Sequence, residues 1–111
     1  MDDTSASRAF AALSQPVRLE ILRLLAPAGR DGLTAGTVAT RLGVVSSTLS
    51  HHLGQLERAG LVHARRQGRF MVYAIDPDGA RLLIDYLARA WDGDRPDLVT
   101  TLDRPPAVAR G

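Results

Sequence analysis

The sequence contains no cysteine, which excludes disulfides, zinc–cysteine clusters, thiol redox chemistry and cysteine nucleophiles in whatever compartment the chain occupies. Lysine and asparagine are also absent, a pattern that fits GC-rich coding better than selection for guanidinium chemistry, and all 14 basic residues are therefore arginine. Aromatic residues make up only 5% of a chain that is 45% apolar, so the core has to be built from Leu, Val, Ile and Ala, as in helical domains. No apolar stretch approaches the roughly 18 residues of a membrane span. The opening Met1-Asp2-Asp3-Thr4-Ser5 carries neither the basic flank nor the apolar run of a signal peptide, and a cytoplasmic location is expected. At 111 residues there is room for one hydrophobic interior and no second.

What is present follows a helical period for the first half. Ala9, Phe10 and Leu13 lie at helical spacing between Ser5 and Leu13. Gln15-Pro16 then opens a second helix, in which Val17, Ile21, Leu24 and Leu25 share a stripe opposite Glu20 and Arg23. Pro27 to Gly32 reads as a loop. Thr34 is placed to cap a short helix through Val38, Ala39 and Leu42 that stops at Gly43, and the next helix starts near Ser46 or Ser47 and stops at Gly60. Two helices with so short a junction form a helix-turn-helix unit.

After Gly60 the period changes to near alternation through Val62, Ala64, Val72 and Ala74, and Gly68-Arg69 offers a two-residue hairpin turn. Residues 61–75 therefore read as a two-stranded wing. Asp76-Pro77 caps a fifth helix whose Leu82, Leu83, Ile84, Tyr86, Leu87 and Trp91 point to too many sides for one core face. One face is expected to meet a second copy of the chain, with Phe10, Leu83, Tyr86, Leu87 and Trp91 at the contact. The expected architecture is mostly α with a β-hairpin wing, a five-helix winged helix-turn-helix over residues 1–91. Residues 92–111, with Pro96, Pro105 and Pro106 and no periodicity, read as an extended tail.

The chemistry concentrates in the segment from Val45 to Val62. Leu49, Leu53 and Leu56 point inward, leaving Ser46, Ser47, Thr48, Ser50 and His51 as a short hydrogen-bonding face on the N-terminal half of the helix, the half that a recognition helix places in the major groove. Free N–H groups at that helix start suit a phosphate oxygen. Arg58, Arg65, Arg66 and Arg69 follow in a segment whose single acid is Glu57, a local basic patch on a chain of net charge +2. Taken alone, serines at a helix start are caps and surface arginines are a solvated face. Their succession in one helix-turn-helix-wing order favours double-stranded DNA as the partner, with Arg65, Arg66 and Arg69 reaching phosphates or a minor groove.

The segments Gln15-Pro16-Val17-Arg18-Leu19-Glu20-Ile21-Leu22, Ser47-Thr48-Leu49-Ser50-His51-His52-Leu53 and Arg65-Arg66-Gln67-Gly68-Arg69 with Tyr73 resemble ArsR-family repressors over about residues 8–90. The resemblance implies a winged-helix dimer that occupies an inverted-repeat operator and releases it when an effector binds. It places Ser47, Thr48, Ser50 and His51 at recognition-helix contact positions and Arg66 and Arg69 at wing positions.

Sensors of that family hold metal through cysteines before the turn or near the last helix, or through Asp and His on the last helix. Here Leu33-Thr34-Ala35-Gly36 stands at the first place, Ala90-Trp91 and Val99 near the second, and no histidine follows His63. No metal site and no cofactor are therefore expected. His51 and His52 lie about 100° apart on a helix and cannot chelate one ion together. His52 is expected to face the interior and His63 to be partly buried and hydrogen-bonded. Asp92, Asp94 and Asp97 lack the glycine and terminal glutamate of a calcium loop. No Gly-x-Ser-x-Gly elbow, phosphate loop or His-Glu-x-x-His arrangement supports an enzyme. The inducer stays open between a small organic effector at the dimer interface, a carboxylate-bound metal and no ligand. A second reading, an interaction module for a protein or small apolar ligand with weak DNA binding, has the basic wing against it.

Overall fold

The computed structural model describes the backbone of residues 1–92 and the side chains of residues 1–89. Five α-helices and three strands alternate in the order α1 (Asp3–Leu13), α2 (Pro16–Leu25), a 3-10 segment (Ala26–Asp31), β1 (Leu33–Thr34), α3 (Ala35–Leu42), α4 (Ser46–Arg58), β2 (Val62–Gln67), β3 (Phe70–Ile75) and α5 (Pro77–Asp92). This is the winged helix-turn-helix that the sequence predicts. The expected tail falls, from residue 93 onward, outside the described residues, as do Asp94, Asp97 and Val99; the side chains of Ala90, Trp91 and Asp92 do so too.

Local chemistry accounts for most of the boundaries. The Asp2 carboxylate accepts the Ser5 N–H at 2.8 Å and starts α1, and that hydrogen bond draws its pKa below the ordinary carboxylate value. Pro16 sits in the first turn of α2, where its missing N–H costs nothing. Thr34 Oγ1 accepts the Thr37 N–H at 3.1 Å and starts α3. Helices α3 and α4 end in the same way, with glycine in the left-handed region at Gly43 (φ 66) and Gly60 (φ 79). In each the following amide reaches back five residues, Val44 N–H to the Ala39 carbonyl at 3.1 Å and Leu61 N–H to the Leu56 carbonyl at 3.0 Å. Asp76 Oδ1 accepts the amides of Asp78 and Gly79 and starts α5.

The sheet has strand order β1-β3-β2, all antiparallel. The wing proper is the β2-β3 hairpin, in which Gln67 pairs with Phe70 across the two-residue turn Gly68-Arg69. The third strand, Leu33–Thr34, escaped the sequence reading: two residues carry no period, and this strand exists only through pairing with Tyr73 and Val72.

Helices and wing enclose one aliphatic core. Ala9, Ile21, Leu25, Val38, Leu49, Leu53, Leu56, Leu61 and Val62 are buried together, with no aromatic residue among them. On α1 the buried positions are the small Ala6, Ala9 and Ala12, which let the helix lie close; Phe10 stays 41% exposed. Leu83 joins the core of its own chain, so its expected place in a dimer contact is corrected. On a helix apolar on several sides, the docking of α5 decides which apolar residues are used inside. Ala88 is the other buried apolar residue there, whereas Leu82, Ile84 and Leu87 remain about half exposed.

Candidate nucleic-acid interface

The turn between α3 and α4 is Gly43-Val44-Val45, and the chain re-enters a helix with Val45 as its N-cap. Valine has no side-chain acceptor, so α4 starts without a capping hydrogen bond. The serines at its start are therefore not caps. Ser46, Ser47 and Thr48 occupy the first turn itself, where amide N–H groups have no partner within the helix and point outward from its positive end.

Leu49, Leu53 and Leu56 are all buried, and their i, i+4, i+7 spacing turns the opposite side of α4 to solvent. Ser46, Ser47, Thr48, Ser50 and His51 are all exposed, which brings the five helix residues singled out in the sequence onto one accessible surface. The hydroxyls can donate or accept, and the imidazole adds a third geometry, the mixture that reading base edges requires.

His52 behaves differently from its neighbour, as the sequence reading expected. Its ring is half-buried, and its Nδ1 accepts a hydrogen bond from Arg18 Nε at 3.0 Å. An Nδ1 that accepts requires the proton on Nε2, so the ring is neutral. Burial first, then the Arg18 cation and the neighbouring His51, push its pKa below the ordinary histidine value. Arg18 is 7% exposed and also donates from Nη1 to the carbonyl of Ala12 at 3.3 Å, tying the end of α1 through α2 to the recognition helix. Sequence reasoning missed this residue. Its signal was the spacing 18, 21, 25, which puts Arg18 on the buried stripe with Ile21 and Leu25, while Val17 and Leu24, read as stripe members, are half-buried.

The wing carries Arg66 and Arg69 exposed, with Arg69 in the hairpin turn. Arg65 is built differently. Its guanidinium donates to the carbonyls of Arg30 at 3.0 Å and Asp31 at 2.9 Å, clasping the root of the wing to the 3-10 segment. Its long side chain is spent on positioning the hairpin. Phe70, directly after the turn, is 57% exposed, an apolar residue at the wing tip that the sequence reading passed over. His63 is exposed on β2, contrary to expectation: Val62 points into the core, and alternation sends the next side chain outward. No cluster of three or more His, Cys, Asp or Glu able to hold a metal occurs among the described residues, and no helix there is long and apolar enough to cross a membrane.

A helix-turn-helix domain family matches residues 13–65. The chain is 45% identical over 75 residues to the uncharacterized HTH-type transcriptional regulator Rv0081 of Mycobacterium tuberculosis (strain ATCC 25618 / H37Rv), an overlap of 67% of this chain and 64% of that protein. It thus spans less than two thirds of that relative's length. Among solved structures, an ArsR-like transcriptional regulator from Rhodococcus sp. RHA1 superposes with a TM-score of 0.69 at 30% identity, covering 93% of this chain and 96% of that one. The homodimeric winged helix-turn-helix DNA-binding domain Mb0332 from Mycobacterium bovis, a possible ArsR-family transcriptional regulator, gives 0.64 at 32% identity, covering 86% and 92%.

Proposed function

From a chain that belongs to the ArsR-type family of winged helix-turn-helix transcriptional regulators, we propose a cytoplasmic, dimeric DNA-binding repressor that acts by occupying an operator and not by catalysis. The observation that carries this reading is the exposed row Ser47, Thr48, Ser50 and His51 on a helix whose other side is locked into the core. Two such helices in a two-fold dimer would enter successive major grooves about 34 Å apart on an inverted repeat. Arg66 and Arg69 would grip the flanking backbone, supplying affinity without sequence information. Occupying the operator needs no further surface to block transcription.

Anisotropy of the protein on its own upstream DNA and on a scrambled duplex, at two salt concentrations, tests this. A preference for the upstream sequence of about a thousandfold, with steep salt dependence, is the expected result. Arg69→Ala should weaken both duplexes and lower the salt slope by about one. Ser50→Ala should leave the slope unchanged and narrow the gap between the duplexes. Equal, weak binding to both by the unaltered protein would overturn the reading.

Dimerisation is assigned to α1 and α5, where Phe10, Ile84 and Leu87 leave an apolar surface between 41% and 51% exposed. Leu87→Glu should convert the protein to a monomer in sedimentation velocity with its helical content kept. A Leu87→Glu variant that still sediments as a dimer would place the contact elsewhere.

A further inference from the structure

A cavity of about 280 Å³ opens where the start of α1, the end of α4 and the first turns of α5 converge. This is near the lower end of the roughly 300–1,000 Å³ typical of small-molecule sites, so the occupant would be small. Its floor is apolar, from Met1, Ala59 and Leu82. Its polar and charged lining residues are Ser5 and Arg8 from α1 and Arg58 from α4, with no carboxylate-bearing residue among them. Two cations from separate helices that share a cavity repel each other until an anion lies between them.

The side chain of Arg58 runs back along the surface of α4. Gly54 sits in the interior of α4, where glycine costs about 1 kcal/mol relative to alanine. A Cβ there would stand 3.4 Å from both Nη1 and Nη2 of Arg58, so the guanidinium is folded back along the helix over the glycine.

We propose that this cavity binds an amphipathic carboxylate, a short apolar body that lies on Met1, Ala59 and Leu82 and ends in a carboxylate held between Arg8 and Arg58. Guanidinium matches carboxylate through paired, charge-assisted hydrogen bonds, and the apolar floor favours an organic acid over a bare inorganic anion. The occupant would touch both the last turn of α4 and the first turns of α5, the junction through which the recognition helix is joined to the helix assigned to dimerisation. That regulatory consequence rests on the DNA-binding reading; the site itself does not.

The test is a two-dimensional 15N–1H NMR titration of the full chain, without DNA, using octanoate, octanol and inorganic phosphate as separate probes. Octanoate should give saturable shifts at the amides of Ser5, Arg8, Ala59, Gly60 and Gly79. Octanol and phosphate should each bind at least about tenfold more weakly, and Arg8→Gln or Arg58→Gln should weaken octanoate by about tenfold. Absence of octanoate shifts at these amides, shifts that survive both arginine substitutions, or equal binding of octanol or phosphate would each overturn the proposal. Because no DNA is present, failure here is separable from failure of the repressor reading.

Discussion

Gly79→Ala should destabilise the fold by about 3 kcal/mol or more and lower the melting temperature by about 10 °C or more, although it adds only one methyl group. Gly79 lies in the first turn of α5, pressed against the corner where α4 ends, and a Cβ there would overlap the carbonyl oxygen of Gly60. Neither side can yield cheaply. Gly60 is held in the left-handed region by the hydrogen bonds that end α4, and Asp76 N–H donates to the Leu61 carbonyl at 2.9 Å, fixing the entry to α5. Relief would require α5 to tilt away and uncover Leu83. Gly36→Ala is the matched control: Gly36 is helical, its φ is not in the left-handed region, and nothing lies within 4 Å of the added Cβ. It should raise stability by up to about 1 kcal/mol. Thermal melts followed by circular dichroism compare the two, and a Gly79→Ala protein melting within about 2 °C of the parent would show that the close approach does not constrain the fold.

The contrast between these glycines reflects what a sequence can disclose. Gly43, Gly60 and Gly68 stop helices or turn a hairpin, tasks decided within a few residues, and their places were legible beside the ends of apolar periods. The cap at Thr34 and the inward leucines of α4 are local in the same sense. Gly79 meets Gly60 through a contact between two elements, and no local pattern marks it. The same holds for β1, which needs β3 beside it, and for Leu83, whose side of α5 is chosen by docking. Arg65 belonged by composition to a basic patch, yet the nearness of the Arg30 and Asp31 carbonyls gives it a different task. His63 is a different case, because strict alternation after the core residue Val62 would have put it outside. The recognition face was readable because burial of every third or fourth residue fixes its complement, whereas the Arg8–Arg58 cavity joins residues fifty positions apart in the sequence and was not.

Arg18→Ala should cost about 2–4 kcal/mol, because it strips the donors from His52 Nδ1 and the Ala12 carbonyl and leaves a void where a long side chain had packed. Arg18→Met should cost less. It fills most of that space and removes a buried cation whose hydrogen-bonding partners are neutral, which offsets part of the lost bonding. The two variants thus separate packing from hydrogen bonding. Acid should reveal the same contact through His52, whose pKa in the folded chain is depressed by burial, then by Arg18, then by His51. As the pH falls below the unfolded value of 6.5, the unfolded chain takes up a proton that the folded chain refuses. Stability is therefore complete above that pH and is lost as the pH falls toward the lower folded value. His52→Asn, whose side-chain oxygen can still accept from Arg18 but cannot titrate, should flatten the dependence of melting temperature on pH across this window. Arg18→Met should reduce the slope without abolishing it, because burial, the first cause, persists. A His52→Asn protein that loses stability with acid as steeply as the parent would show that the proton is taken up elsewhere.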